Sequence, residues 1–239
     1  MAGEASGCQN SATVSKPSLA RALKWLLHYY ECYLLDTSAS MAGTPLAAAQ
    51  KAADQFVNLF GATDQLGLIQ FNDHNTLVQA ATTDKVALVT KIDTLKAFGN
   101  TALYDAVYQA VDLAGQVAGR SLVVVLSDGK DTASTRWNRA AVIAHAQELH
   151  VPIHIIGLSG GDDYDSPTLE VLARATGGEL LESPDPAQLA DLYQLLAFQV
   201  AGGYRLTFTG SGQPGTHTIR ILMKVGDAVF DGNATYTVK

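Results

Sequence analysis

Leu122-Val123-Val124-Val125-Leu126 is an unbroken apolar run of strand length, rich in β-branched residues. It has no polar face, so it fits a strand covered on both sides, as central strands of parallel sheets are. A chain holding such a strand needs helices above and below it. The rest of the sequence supplies them, because apolar runs of strand length alternate with helical patterns. Strands are expected at residues 29–35, 65–71, 76–81, 121–126, 152–157 and 179–182. Helices are expected at 44–60, 85–95, 102–115, 138–150, 166–176 and 186–201, the first with Thr44 at its cap, Pro45 at its first position and Gly61 as its stop. The expected fold class is α/β: a doubly wound, mostly parallel sheet flanked by helices, with residues 76–81 as an antiparallel edge strand.

Three segments follow from composition. Residues 1–17 are small and polar without an apolar period and read as a flexible lead. Residues 18–202 form the main domain. Beyond Gly202-Gly203 the pattern changes to three antiparallel strands, 204–209, 216–225 and 229–238, a short β-rich appendage too small to be stable alone and expected to pack on the main domain or to be part of a β-sandwich continued by another segment. The apolar stretch around Trp25-Leu26-Leu27 contains His28 and Glu31, is shorter than the roughly 20 apolar residues of a membrane span, and lacks a small-residue cleavage site, so neither a span nor an export signal is read there. With 16 Lys and Arg against 23 Asp and Glu, net charge -7, the chain has no basic surface for nucleic acid. Cys8 and Cys32 are too few for a disulfide framework; Cys32 lies in an apolar run expected to form a buried strand, with a Cys8–Cys32 bridge as the minor alternative.

The chemistry concentrates in three loops. Asp36-Thr37-Ser38-Ala39-Ser40 follows the first strand, Gly99-Asn100-Thr101 precedes a helix, and Ser127-Asp128-Gly129 follows the apolar valine strand. The first and third lie at strand carboxyl ends, the edge where open α/β sheets bind ligands. Pooled, they offer three hydroxyls and two carboxylates, an all-oxygen set suited to a hard cation such as Mg²⁺, with Mn²⁺ or Ca²⁺ as substitutes; zinc favours His and Cys. Asp36 is read here as part of a solvent-facing loop.

These elements resemble the metal-ion-dependent adhesion site of the von Willebrand factor type A family, whose pattern is Asp-x-Ser-x-Ser, a distant Thr and a distant Asp-Gly. The resemblance covers residues 29–201, and the wording Asp-Thr-Ser-Ala-Ser-Met and Ser-Asp-Gly-Lys-Asp is similar to bacterial members. It implies a Rossmann-like fold, a non-enzymatic module, and a cation that grips an Asp or Glu carboxylate of a protein partner. Carried over, Ser38, Ser40 and Thr101 would bind the metal directly, and Asp36 and Asp128 would hold it through water or bind it as the site rearranges. Ala39 stands where the pattern usually has Gly.

Met41, Leu103, Tyr104 and the acidic residues Asp162, Asp163 and Asp165 are candidates for the surrounding partner surface, on position alone. For the acidic three a solvated loop is the weightier reading. The alternative function is a metal-assisted hydrolase in which the same cation activates water; it needs a general base, and the three loops contain neither His nor Lys apart from Lys130. Gly157-Leu158-Ser159-Gly160-Gly161 also fits a nucleophile-elbow pattern, which requires an immediate turn into a helix.

Overall fold

Six strands form one sheet in the order β3-β2-β1-β4-β5-β6: β1 Tyr29–Asp36, β2 Gln65–Phe71, β3 Asn75–Thr82, β4 Arg120–Ser127, β5 Ile153–Leu158 and β6 Leu180–Ser183. The computed structural model describes residues 29–117, 120–161, 164–201, 213–225 and 228–238. Neighbours are parallel except β2 and β3, so residues 75–82 are the antiparallel edge expected from the sequence. The helices are α1 Thr44–Leu59, α2 Lys85–Asp93, α3 Leu103–Gly115, α4 Arg139–Leu149, α5 Ser166–Ala175 and α6 Leu189–Ala201.

Strands β1 and β4 alternate between two cores. Tyr33, Leu35, Val124 and Leu126 pack with α1, α2 and α6, while Cys32, Leu34, Val123 and Val125 pack with α3, α4 and α5. Burial on both faces explains why the valine run carries no polar residue. On the first side Tyr33 and Tyr193 meet edge to face with Phe56 tilted against both, and the Tyr33 and Tyr193 hydroxyls hydrogen-bond, joining β1 to α6. On the second side Trp137, Tyr108 and His145 stack in nearly parallel planes, with Tyr108 in the middle, joining α3 to α4. Glu31 on β1 is an exception to the apolar pattern: it is fully buried, and among the described residues both its carboxyl oxygens lack a hydrogen-bond partner.

Element ends differ from the sequence expectation where glycine or tertiary caps intervene. The residue capping α1 is Gly43, at φ 82 and ψ -127, a conformation closed to threonine; Thr44 and Pro45 therefore occupy the first two helical positions. The last helix is preceded by a 3-10 turn, Pro186–Gln188, whose Ala187 amide donates to Asp185. The carboxyl-terminal unit, from Gly202 onward, contains a two-stranded antiparallel ladder, β7 Gly215–Val225 and β8 Ala228–Val238. The expected lead at 1–17, the strand at 204–209 and the turn at Gly226-Asp227 lie outside the described residues. Among the described residues no helix is long and apolar enough to cross a membrane.

Candidate metal centre

The chain leaves β1 toward β2 on one side, and β4 continues the sheet on the other, so the order of connections reverses between β1 and β4. At such a switch point the loops diverge and leave a crevice above the strand ends. The register pairs Leu35 with Leu126, which sets Asp36 beside Ser127 at that crevice.

From there a string of hydrogen-bonded residues runs to the surface. Ser127 Oγ donates to Asp36 Oδ2 at 2.5 Å, and the Ser38 amide donates to Asp36 Oδ1 at 2.8 Å. The Ser38 and Ser40 hydroxyls are 3.0 Å apart, and Ser40 Oγ donates to Asp128 Oδ1 at 3.0 Å. Asp36 and Ser38 are buried, Asp128 half-buried and Ser40 exposed, so the string opens to solvent at one end.

Backbone bonds fasten the other loops to this string. Ala39 donates to the Gly99 carbonyl (3.0 Å) and Phe98 to the Thr37 carbonyl (2.8 Å). The turn after β2 joins too, since the Thr37 amide and hydroxyl both donate to the Phe71 carbonyl, and Asp73 Oδ1 accepts from the amide and side chain of Asn100. Gly99, at φ 79, packs so closely on Asp73 that a Cβ would overlap the carboxylate. Thr101, buried, is clasped from the β4 side: its amide donates to Thr132 Oγ1, and its carbonyl accepts from Thr132 and Ala133.

The first turn of α3 is capped from a distance. Ala102 at the cap has no side-chain bond to offer. Asp131 accepts from the Tyr104 amide and Ser134 from the Asp105 amide, while the Asp105 carboxylate accepts from the amides of Thr135, Arg136 and Trp137. Helix and loop thus satisfy each other's orphan donors, the logic of a capping box spread over two segments.

Burial pushes the Asp36 carboxyl up to about 6, with the charge of Asp128 adding to the rise and the bonds from Ser127 and Ser38 opposing it. Burial also raises Asp128, opposed by the bond from Ser40. Two carboxyls in one oxygen cluster, both disfavoured as anions by their surroundings, suit a divalent cation. Among the described residues no group of three His, Cys, Asp or Glu side chains gathers as a metal site.

The structure therefore brings Asp36, Ser38, Ser40 and Asp128 into one bonded string and holds Thr101 on the same rim through its backbone. Asp36 is not solvent-facing: it ends the central strand with no exposed surface. Met41 and Leu103 are not partner-surface residues. The 3-10 turn Ala39–Met41 folds Met41 under the loop into the α1 core, and Leu103 starts the buried stripe of α3 that continues through Ala106, Val107 and Ala110. Tyr104 is half-buried and its hydroxyl is raised by burial and by Asp131. Asp165 caps α5, accepting from the Thr168 amide. Asp162 and Asp163 lie outside the described residues. The Gly157–Gly161 pattern is not an elbow, because α5 begins only at Ser166; Gly157 leaves room for the Tyr164 hydroxyl instead.

Sequence reasoning missed Ser127, Asp73, Asp105, Asp131, Thr132 and Ser134. The crowd of Asp, Ser and Thr in residues 127–135 signals capping chemistry, but the amides it serves belong to a distant helix, and Ser127 becomes significant only through the β1–β4 register.

A doubly wound sheet with this rim is the architecture of a ligand-binding α/β domain. The von Willebrand factor type A domain profile matches residues 32–195, and the chain belongs to that family. A UPF0353 protein of Mycobacterium leprae is 29% identical over 222 residues, covering 80% of this chain and 65% of the relative. A UPF0353 protein of Mycobacterium marinum is 28% identical over 228 residues, 82% of this chain and 67% of the relative. The chain thus spans about 65% of the length of the first of these relatives. Among solved structures, a von Willebrand factor type A protein from Catenulispora acidiphila superposes with TM-score 0.66 at 17% identity, covering 89% of this chain and 56% of that one. A mussel byssus proximal thread matrix protein with a zinc-occupied MIDAS motif gives TM-score 0.64 at 16% identity, covering 73% of this chain and 46% of that one. These last two likenesses are of fold. The family match supports, in general terms, a protein-interaction module.

Proposed function

We propose that this domain binds one divalent cation, Mg²⁺ in the first place, and through it grips an Asp or Glu carboxylate of a protein partner. Ser38, Ser40 and Thr101 would hold the ion directly, and Asp36 and Asp128 through water. The observation that carries the reading is the continuous string from Asp36 through Ser38 and Ser40 to Asp128, buried at one end and open to solvent at the other. Neutral hydroxyls as direct ligands leave the ion's charge unbalanced and so attractive to an added carboxylate, whereas carboxylates as direct ligands would quench it. The zinc-occupied motif of the mussel protein shows a metal in a domain of the same fold and supports the position, not the identity, of the ion.

Calorimetric titration of the domain with Mn²⁺ or Mg²⁺ tests the first half, and capture of a partner with and without EDTA tests the second. Saturable one-site heat and a partner held only in the presence of the ion are the expected results. No heat at millimolar ion would end the proposal.

A further inference from the structure

Phe98 is 55% exposed, and among residues with described burial it is the one aromatic in the exposed class. A lone exposed apolar side chain usually means nothing. Three features separate this one from Leu59, Val86 or Val171, which sit on helices.

The first is place: Phe98 donates its amide to the carbonyl of Thr37, and the next residue accepts from Ala39, so it lies against the stretch of loop that carries Ser38 and Ser40. The second is rigidity. Its backbone is fixed on one side by those two bonds and on the other by Asp73, which holds Asn100 through two hydrogen bonds and leaves no room for a side chain at position 99. The third is that the described core contacts of this segment are made by its neighbours, Leu95 in the core and Ala97 packed against it.

An aromatic ring on an immobile backbone loses little entropy when covered, which is what a contact anchor requires. Resting on the cation reading above, we infer that Phe98 is a specificity residue for the partner: the domain selects a segment in which the metal-seeking Asp or Glu is flanked by a large apolar side chain that covers the Phe98 ring. The charge of the ion selects the carboxylate; the ring selects its neighbour. Small or charged flanking residues leave the ring wet and bind less well.

The test uses the intact chain and immobilised five-residue peptides with central Asp, flanked on either side by Gly, Leu, Phe or Lys, in millimolar Mn²⁺ and again in EDTA, with Asn-centred peptides as controls. Peptides with an apolar flank are expected to bind roughly five- to tenfold better than the Gly-flanked peptide, the scale of one added aromatic contact. Phe98→Ser should erase that preference while keeping Mn²⁺ affinity and the discrimination of Asp from Asn. A wild type indifferent to the flank, or a Phe98→Ser chain that keeps the preference, overturns the inference and leaves the cation reading standing. Binding that ignores EDTA and does not distinguish Asp from Asn overturns both.

Discussion

At the scale of single residues, the least expected finding is that two of the acidic side chains on or ending β1 are out of water. Asp36 holds the Ser38 amide and the Ser127 hydroxyl, so Asp36→Ala would strand both at a cost of about 1–3 kcal/mol. Asp36→Asn is the cleaner substitution, since its carbonyl oxygen still accepts from Ser38 and its amide can donate to a Ser127 hydroxyl turned to accept. We expect the Asn variant to keep its circular dichroism and melting temperature within a few degrees and to lose the Mn²⁺ heat; retained heat would remove Asp36 from the site. Glu31 makes a prediction of a different kind. Burial, and next the charge of Asp64, hold its carboxyl well above the ordinary value of 4.5, and neither oxygen is bonded among the described residues. As pH rises through 4.5 the unfolded chain releases this proton while the folded chain keeps it, so the group subtracts stability with rising pH up to its folded pKa. Glu31→Gln should therefore melt a few degrees higher than wild type near pH 7.5, with the gap closing toward pH 4. A gap that is constant with pH would mean that Glu31 is not held protonated. From sequence, Glu31 is only a polar interruption in an apolar run; its isolation depends on what α1 and α6 lay over it, which no local pattern encodes.

At the scale of elements, the strands and helices were legible because both faces of the sheet are covered, and unbroken apolar runs such as Leu122–Leu126 have one structural solution. What was not legible was how ends are finished. Gly43 replaces Thr44 as the α1 cap because the entering chain needs positive φ, and the first turn of α3 is capped by Asp131 and Ser134 across a gap of roughly thirty residues in sequence. Asp105 is the reciprocal piece, holding three amides of the β4–α4 loop with one carboxylate. Asp105→Ala should lower stability by about 0.5–1.5 kcal/mol in urea denaturation, because the amides it releases are exposed at Thr135 and Arg136 and partly buried at Trp137. It should also weaken Mn²⁺ binding several-fold, because the same loop clasps Thr101 through Thr132 and Ala133. Unchanged metal affinity with lowered stability would mean that the loop closes on Thr101 without this brace. The candidate donors themselves were readable as residues, since Asp, Ser and Thr in loops at strand ends are visible in any sequence. Their convergence was not: it depends on the reversal of strand order between β1 and β4, and Met41 and Leu103, adjacent to donors in sequence, turn the opposite way into the cores.

At the scale of the whole molecule, all five candidate donors lie in the unit that ends at Ala201, and the β7–β8 ladder contributes none of them. A chain truncated after residue 202 should then bind Mn²⁺ within a few-fold of the intact chain; a loss of binding would bring the tail into the site. Within the first unit, four loops from separate parts of the sequence meet at the rim and are cross-braced by main-chain bonds that need no ion: Thr37 to Phe71, Ala39 to Gly99, Phe98 to Thr37, Ala102 to Asn72, and Thr132 to Thr101. The amides of residues 37, 39, 98, 102 and 132 should accordingly exchange slowly with deuterium in chelator, and loading with Mn²⁺ should slow them little further. Fast exchange that collapses on loading would instead describe loops that order around the ion. With the frame already set, loading and unloading would proceed at the pace of ion dehydration and diffusion, with no loop refolding to wait for, and a rise or fall in free cation would be passed to the partner on that same short timescale.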